Sequence, residues 1–265
     1  MTIIRRPAPF VLVSTGHGTL IANHNDVRMT GPETGFGVGY QLFTTSHFDP
    51  EEVDTALKLL KMRRDMFGDG VVAVDCGANI GVHTIEWAKF MYGWGRVVAI
   101  EAQERIFYAL AGNIAINNCF NANAINAAIG GEVGQLSIPV PDYTKPSSFG
   151  SLELKKRDKT EFIGQEISYD EAHCKKVPLI TIDALEFSRI DFLKIDIEGM
   201  ELETLRGAER SIIAFKPHML IEWIKSDKPE LMRVLASYGY KVYEAGINLL
   251  AIHESDGANA YINPK

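Results

Sequence analysis

The stretch Val71-Val72-Ala73-Val74-Asp75-Cys76-Gly77-Ala78-Asn79-Ile80-Gly81-Val82-His83-Thr84 leaves this chain few folds to choose from. Its unbroken apolar run suits a strand buried on both faces of a parallel sheet. Gly77 and Gly81 then turn the chain, and Val82, Ile85 and Ala88, with Trp87 beside them, begin a helix. A strand, a glycine turn and a helix N-terminus in succession present backbone N–H groups at the mouth of a sheet, where a ligand can sit.

The spacing of that turn separates two ligands. A dinucleotide fingerprint needs G-x-G-x-x-G, whereas this turn reads Asp-x-Gly-x-Asn-x-Gly, with Asn79 where the middle glycine would admit pyrophosphate. Asp75, two residues before the first glycine, repels a phosphate but can accept hydrogen bonds from an amine-bearing or cationic ligand. This favours S-adenosylmethionine (SAM), which carries an α-amino group and a sulfonium and no phosphate. Arg96-Val97-Val98-Ala99-Ile100-Glu101 reads as the next strand, and its terminal carboxylate can accept both hydroxyls of a ribose. The plainer alternative is a generic α/β turn with a surface glutamate.

Composition narrows the class. The 265 residues suffice for one large domain or a domain with an N-terminal extension, and 46% hydrophobic with 23% charged residues is ordinary for a globular protein. A net charge of −7 argues against a protein whose main task is to grip nucleic acid. Cys76, Cys119 and Cys174 form no C-x-x-C pair, which points to a reducing compartment without structural zinc. The apolar segment 10–13 behind Arg5 and Arg6 is too short for a signal peptide, and no run reaches the roughly 18 apolar residues of a membrane span. The cytoplasm is the expected location.

Residues 1–48 are irregular in pattern, an N-terminal extension with a possible hairpin of segments 10–13 and 19–22, a glycine-rich loop over 31–39, and Tyr40, Phe43 and Phe48 as packing residues. A second region, 49–265, opens on a helix start in which Asp49 suits the N-cap, Pro50 the first turn and Glu52 a variant capping box. From Val71 onward strands and helices alternate. Strands are expected at 71–76, 96–101, 122–129, 192–197 and 218–223, with a closing hairpin of 241–243 and 248–252 about Gly246. Alternation of this kind implies a parallel sheet with helices on both faces. An insertion over 132–176 interrupts it, strand-like at 136–140 and loop-like at Ser147-Ser148-Phe149-Gly150-Ser151. It is strongly charged over 152–160, and the insertion as a whole reads as a solvated surface, with a lid or substrate loop as the sharper alternative.

These residues resemble the FkbM-type SAM-dependent methyltransferases. The matching pieces are the turn from Val74 to Thr84, Ile100-Glu101-Ala102-Gln103, Leu110-Ala111-Gly112-Asn113, Thr181-Ile182-Asp183-Ala184-Leu185, Phe192-Leu193-Lys194-Ile195-Asp196-Ile197-Glu198-Gly199 and Leu205-Arg206-Gly207-Ala208. One departure is Ala102-Gln103, where the family usually places a proline. The resemblance implies a class I, Rossmann-like fold: a mostly parallel seven-stranded sheet with one antiparallel strand from the terminal hairpin. It also implies methyl transfer to a hydroxyl of a sugar or other natural product, a small-molecule or glycan acceptor. With the turn's own chemistry, it points to Asp75, Gly77, Asn79, Gly81, Thr84, Glu101 and Gln103 as cofactor contacts.

Methyl transfer from a sulfonium needs an acceptor lone pair in line with the methyl group, so much of the catalysis can be positioning and exclusion of water. A hydroxyl acceptor also benefits from a general base. Asp196, at the end of a central strand, is the first candidate, with Glu198 next. Lys194 shares their strand parity if the strand runs straight to Glu198, and a buried lysine requires a carboxylate partner. A purely structural ion pair of Lys194 with Asp196 or Glu222 is the competing reading. His83, at a helix N-terminus, is a second possible base, although a lone histidine there is more often packing or capping. Ser148, Phe149 and Ser151 of the insertion, with Glu222 and Trp223 at the end of the fifth strand, are candidate acceptor contacts. No histidine or cysteine spacing suggests a metal, though Asp196, Glu198 and Glu222 can converge on one. A nicotinamide-dependent oxidoreductase and a non-catalytic SAM-fold binding protein are the alternatives.

Overall fold

Residues 6–262 are described by the computed structural model, so residues 1–5 of the expected extension and 263–265 of the second region lie outside the described residues. The chain begins with a hairpin of β1 (Phe10–Thr15) and β2 (Gly18–Asn23), as the sequence suggests. The glycine-rich stretch that reads as a loop holds a short hairpin of β3 (Arg28–Met29) and β4 (Gly35–Phe36), followed by α1 (Val38–Thr45). Glycines at its start and threonines at its end hide this helix from a periodicity reading. Then come α2 (Pro50–Phe67), β5 (Val71–Cys76), α3 (Val82–Phe90), β6 (Gly95–Glu101), α4 (Glu104–Ile116), β7 (Ala122–Asn126), β8 (Ala128–Ile129), β9 (Gly134–Pro139) and β10 (Cys174–Ile180). The chain closes with β11 (Phe192–Ile195), α5 (Glu201–Arg206), α6 (Glu209–Phe215), β12 (His218–Glu222), α7 (Lys228–Ser237), β13 (Tyr240–Ala245) and β14 (Asn248–His253).

Seven strands form the central sheet in the order β13-β14-β12-β11-β5-β6-β7. The five from β12 to β7 are parallel, and β14 runs antiparallel to both of its neighbours. All six residues of β5 are buried, because helices cover both faces. Alternate residues serve opposite faces. Val74, Cys76, Leu193 and Ile195 enter one core with Leu205 and Ile212, while Val71, Ala73 and Phe192 enter the other with Trp87 and Ile85. Each such large apolar side chain contributes about 1.5–3 kcal/mol on burial. The direction of the sheet order reverses between β5 and β11, and a crevice opens there at the carboxyl ends of the strands.

Three boundaries differ from the sequence reading. The single strand expected over 122–129 is two, because the chain leaves the central sheet after Asn126 and β8 pairs with β10 in a separate three-stranded sheet, β8-β10-β9. The apolar positions Leu202, Leu205 and Ala208 after Gly199 read as one helix, but it is broken into α5 and α6 at Gly207, where an added Cβ would clash with the Gly130 carbonyl. The Asp183 carboxylate then caps α6 by accepting from the N–H groups of Arg210 and Ser211 at 3.0 and 2.8 Å. The capping box at Asp49 does not form: Asp49 has φ 38° and makes no side-chain cap bond, which leaves Glu52 free to face elsewhere.

The N-terminal segment packs on the main body. Asn113 on α4 is fully buried, and its amide donates to the carbonyls of Ile21 on β2 and Ile80 in the glycine turn, at 3.1 and 2.8 Å. Asp26, also buried, accepts from the N–H of Gly39 and from the N–H of Phe149 in the insertion, at 2.9 and 3.0 Å. One carboxylate thus ties the extension to the insertion.

Candidate active site

The crevice holds a cavity of about 340 Å³ bounded by six parts of the chain. These are the glycine turn, the ends of β6, β11 and β12, the β7–β8 junction, the insertion, the β13–β14 turn, and the N-terminal segment around α1 and the start of α2. That volume lies in the range of small-molecule sites.

The turn supplies one wall. Gly77 has φ 81°, and a Cβ there would lie 1.7 Å from the Asp196 carbonyl, so only glycine lets β5 and β11 end this close together. Asn79 takes φ 50°, held by its own side chain, which accepts from the Ile80 N–H at 2.8 Å. Glu101, at the end of β6, is 6% exposed and faces the cavity. Its two oxygens each accept one backbone N–H, from Asn79 at 3.0 Å and Gln103 at 2.7 Å, and each keeps an acceptor position. Burial outweighs those bonds and pushes its carboxyl up to about 7. Gln103 lines the same wall and donates to the Phe149 carbonyl at 2.8 Å.

Asp75, Gly81 and Thr84 stand behind this wall and do not line the cavity. Asp75 is 1% exposed; one oxygen accepts the Thr84 hydroxyl at 2.6 Å, and the other has no protein partner. Its charge acts from beneath the turn.

The opposite floor is charged. β11 stops at Ile195, so the straight strand parity expected for Lys194, Asp196 and Glu198 does not hold. The chain turns instead, with Glu198 at φ 57°, and Glu201 holds the turn by accepting from the N–H groups of Ile197 and Gly199 at 3.2 and 3.1 Å. The turn still brings oxygens of Asp196, Glu198 and Glu222 within 4.8 Å of one another. Lys194 is 3% exposed and donates to Asp196 at 2.7 Å, with Glu52 3.8 Å away. Burial opposes its charge, but Asp196, Glu52 and Asp75 together hold the ammonium above the ordinary lysine range. Lys225 lies 2.5 Å from Glu198 and donates to the Ser151 carbonyl at 2.7 Å, linking turn and insertion. Burial, with Asp196 and Glu198 close by, pushes Glu222 up to about 10, and burial likewise lifts Glu198 to about 8.

Sequence reasoning missed Glu52. Its carboxylate sits 3.2 Å from His83 Nε2, off the line of a hydrogen bond, and accepts from the Asn248 amide at 2.7 Å. Burial opposes its ionisation, but Lys194 and His83 prevail and hold it at about 2. The only signal was a glutamate one turn into a helix, which reads equally well as a cap. His83 lines the cavity with its ring against Phe48 and Trp87.

The acceptor candidates separate. Ser148, Ser151 and Glu222 line the cavity, whereas Phe149 and Trp223 do not. Phe149 is fully buried against Tyr143, so its ring cannot cover an acceptor, and Trp223 packs under the Lys228 ammonium. Residues 147–149 and 152–154 are core, not solvated insertion, and only 155–159 of the charged stretch are exposed.

A mostly parallel sheet in this order, one antiparallel strand near its edge, and an acid-ended second strand beside a glycine turn define a class I methyltransferase fold. Residues 75–242 match the model of the Methyltransferase FkbM domain family, and the chain belongs to that family of methyltransferases. It is 25% identical over 193 residues to Methyltransferase 1 of Beauveria bassiana (strain ARSEF 2860), covering 66% of this chain and 74% of that protein. It is also 25% identical over 191 residues to Methyltransferase sdnD of Sordaria araneosa, covering 64% and 73%. The crystal structure of Methyltransferase FkbM from Methylobacillus flagellatus KT aligns at 20% identity and a TM-score of 0.49, over 72% of this chain and 48% of that one. No helix among the described residues is long and apolar enough to cross a membrane.

Proposed function

We propose that the cavity binds SAM along the glycine turn and transfers its methyl group to a hydroxyl of a sugar or natural-product acceptor seated over Asp196. The observation that carries this reading is that Glu101 and Asp196, at the ends of β6 and β11, face one cavity. The residues present fit the cofactor. Glu101 keeps one acceptor position on each oxygen, which suits a vicinal diol. Asp75 adds buried negative charge behind the turn, which suits a cation and disfavours a phosphate. When bound, SAM supplies an electrophilic methyl group on a sulfonium.

The chain's own part is positioning and proton handling. Asp196 can accept the acceptor hydroxyl's proton at Oδ1, because Oδ2 is engaged by Lys194. Lys194, held charged, fixes the orientation of Asp196 by donating to its Oδ2 at 2.7 Å. Glu222, kept protonated at neutral pH, can donate a hydrogen bond to a second acceptor oxygen. The apolar and acidic walls exclude water from the reacting atoms. The test is incubation with methyl-labelled SAM and a panel of hydroxylated acceptors, with products read by mass spectrometry. Label on an acceptor oxygen supports the reading, and label on nitrogen or carbon alone rejects O-methylation.

A further inference from the structure

The opening of the cavity is unlike its floor. Phe36, Ile224 and Ile247 all line it, yet they are 57%, 49% and 49% exposed. They come from three separate places: β4, the segment after β12, and the β13–β14 turn. The last two are fastened together, since the Trp223 N–H donates to the Ile247 carbonyl at 3.1 Å. Val38 and Phe48, also from the N-terminal side, add to the apolar lining. Single exposed apolar side chains are common on protein surfaces. Three of them converging on the opening of one cavity form a patch whose place is tied to a ligand. Beneath them the floor is polar, with Asp49, Glu52, Lys194, Asp196 and Glu222. A ligand matched to both levels carries hydroxyls at one end and hydrocarbon at the other.

We propose that Phe36, Ile224 and Ile247 form a collar that grips the apolar body of the methyl acceptor. The substrate class is then an amphipathic alcohol, with its hydroxyl end on the charged floor and its hydrocarbon body at the opening, and not a free hydrophilic sugar. This rests on the reading above that the cavity takes a methyl acceptor. Phe36 and Ile247 fall outside the matched residues 75–242, so the choice of acceptor can be altered without touching the cofactor half of the site.

The test uses methyl, butyl, hexyl and octyl β-D-glucosides, each below its micelle concentration. They are titrated calorimetrically into the full chain with and without S-adenosylhomocysteine. Affinity should rise about two- to fourfold per added methylene as hydrocarbon leaves water. Phe36→Ser and Ile247→Ser should flatten that rise and leave S-adenosylhomocysteine affinity unchanged, which also verifies that the variants fold. Phe120→Ser, at an 85% exposed position away from the cavity, should keep the full slope. A flat series in the unmodified protein, or an equal slope in both collar variants, overturns the collar. Failure of S-adenosylhomocysteine to bind counts against the methyltransfer reading alone, because the chain-length slope is measured without it as well.

Discussion

Lys194 Nζ lies 2.7 Å from Asp196 Oδ2, two residues apart on either side of the point where β11 ends. A lysine 97% removed from solvent is tolerated only because carboxylates surround it. The same contact fixes Asp196 on the floor of the cavity, so one ion pair both anchors the strand end and orients the candidate base.

Asp196→Asn is therefore expected to retain SAM affinity within about threefold and to lower kcat by about 10²–10⁴-fold. Single-turnover kinetics beside calorimetric SAM titration will separate the two effects. Unchanged turnover would assign the pair a structural role and direct attention to His83.

Glu52→Gln should destabilise the protein at neutral pH by about 2 kcal/mol, since it removes a charged partner from Lys194 and weakens a bond to Asn248. The carboxyl is held at about 2, below its unfolded value near 4.5, so its stabilisation is present above 4.5 and is lost as pH falls towards 2. Thermal unfolding of both proteins between pH 3 and 7 should show a Tm gap that narrows as the solution is acidified. A gap independent of pH would contradict this.

Glu222 has the opposite sign. Its carboxyl is raised to about 10, so above pH 4.5 the unfolded chain sheds a proton that the folded chain retains, and stability falls with rising pH. Glu222→Gln should match the unmodified protein near pH 4.5 and become progressively more stable relative to it up to pH 9. Scanning calorimetry across that range checks the trend, and a constant or shrinking difference refutes it.

Much of this was legible in the sequence because it rests on local pattern. The apolar run 71–76 and the Asp-x-Gly-x-Asn-x-Gly turn specify a strand and a ligand-facing bend without reference to the rest of the chain. The terminal hairpin about Gly246 was equally plain. What escaped detection depends on long-range contact. Glu52 acquires its partners, His83, Lys194 and Asn248, only when α2 packs across the strand ends. Phe149 reads as an acceptor contact in a serine-rich loop, yet Asp26 draws its backbone into the core from 123 residues away. The helix α1 was concealed by glycines whose positions are set by close approach to Asp26 and Asn23.

Gly77→Ala should abolish SAM binding and cost more than about 2 kcal/mol of stability. The residue requires a left-handed φ of 81°, and the new methyl would meet the Asp196 carbonyl at 1.7 Å. Denaturant unfolding and SAM titration will measure both losses. Binding within threefold of the unmodified protein would mean that β5 and β11 can separate at no cost.

The most direct measurement is calorimetric titration of SAM and of NAD into the full chain and its Glu101→Gln variant. SAM should bind with a stoichiometry of about one and weaken by about 10–100-fold in Glu101→Gln, because a charge-assisted acceptor of the ribose is lost; NAD should not bind measurably. Tight NAD binding, or SAM affinity indifferent to Glu101→Gln, would contradict the assignment of this cavity to SAM.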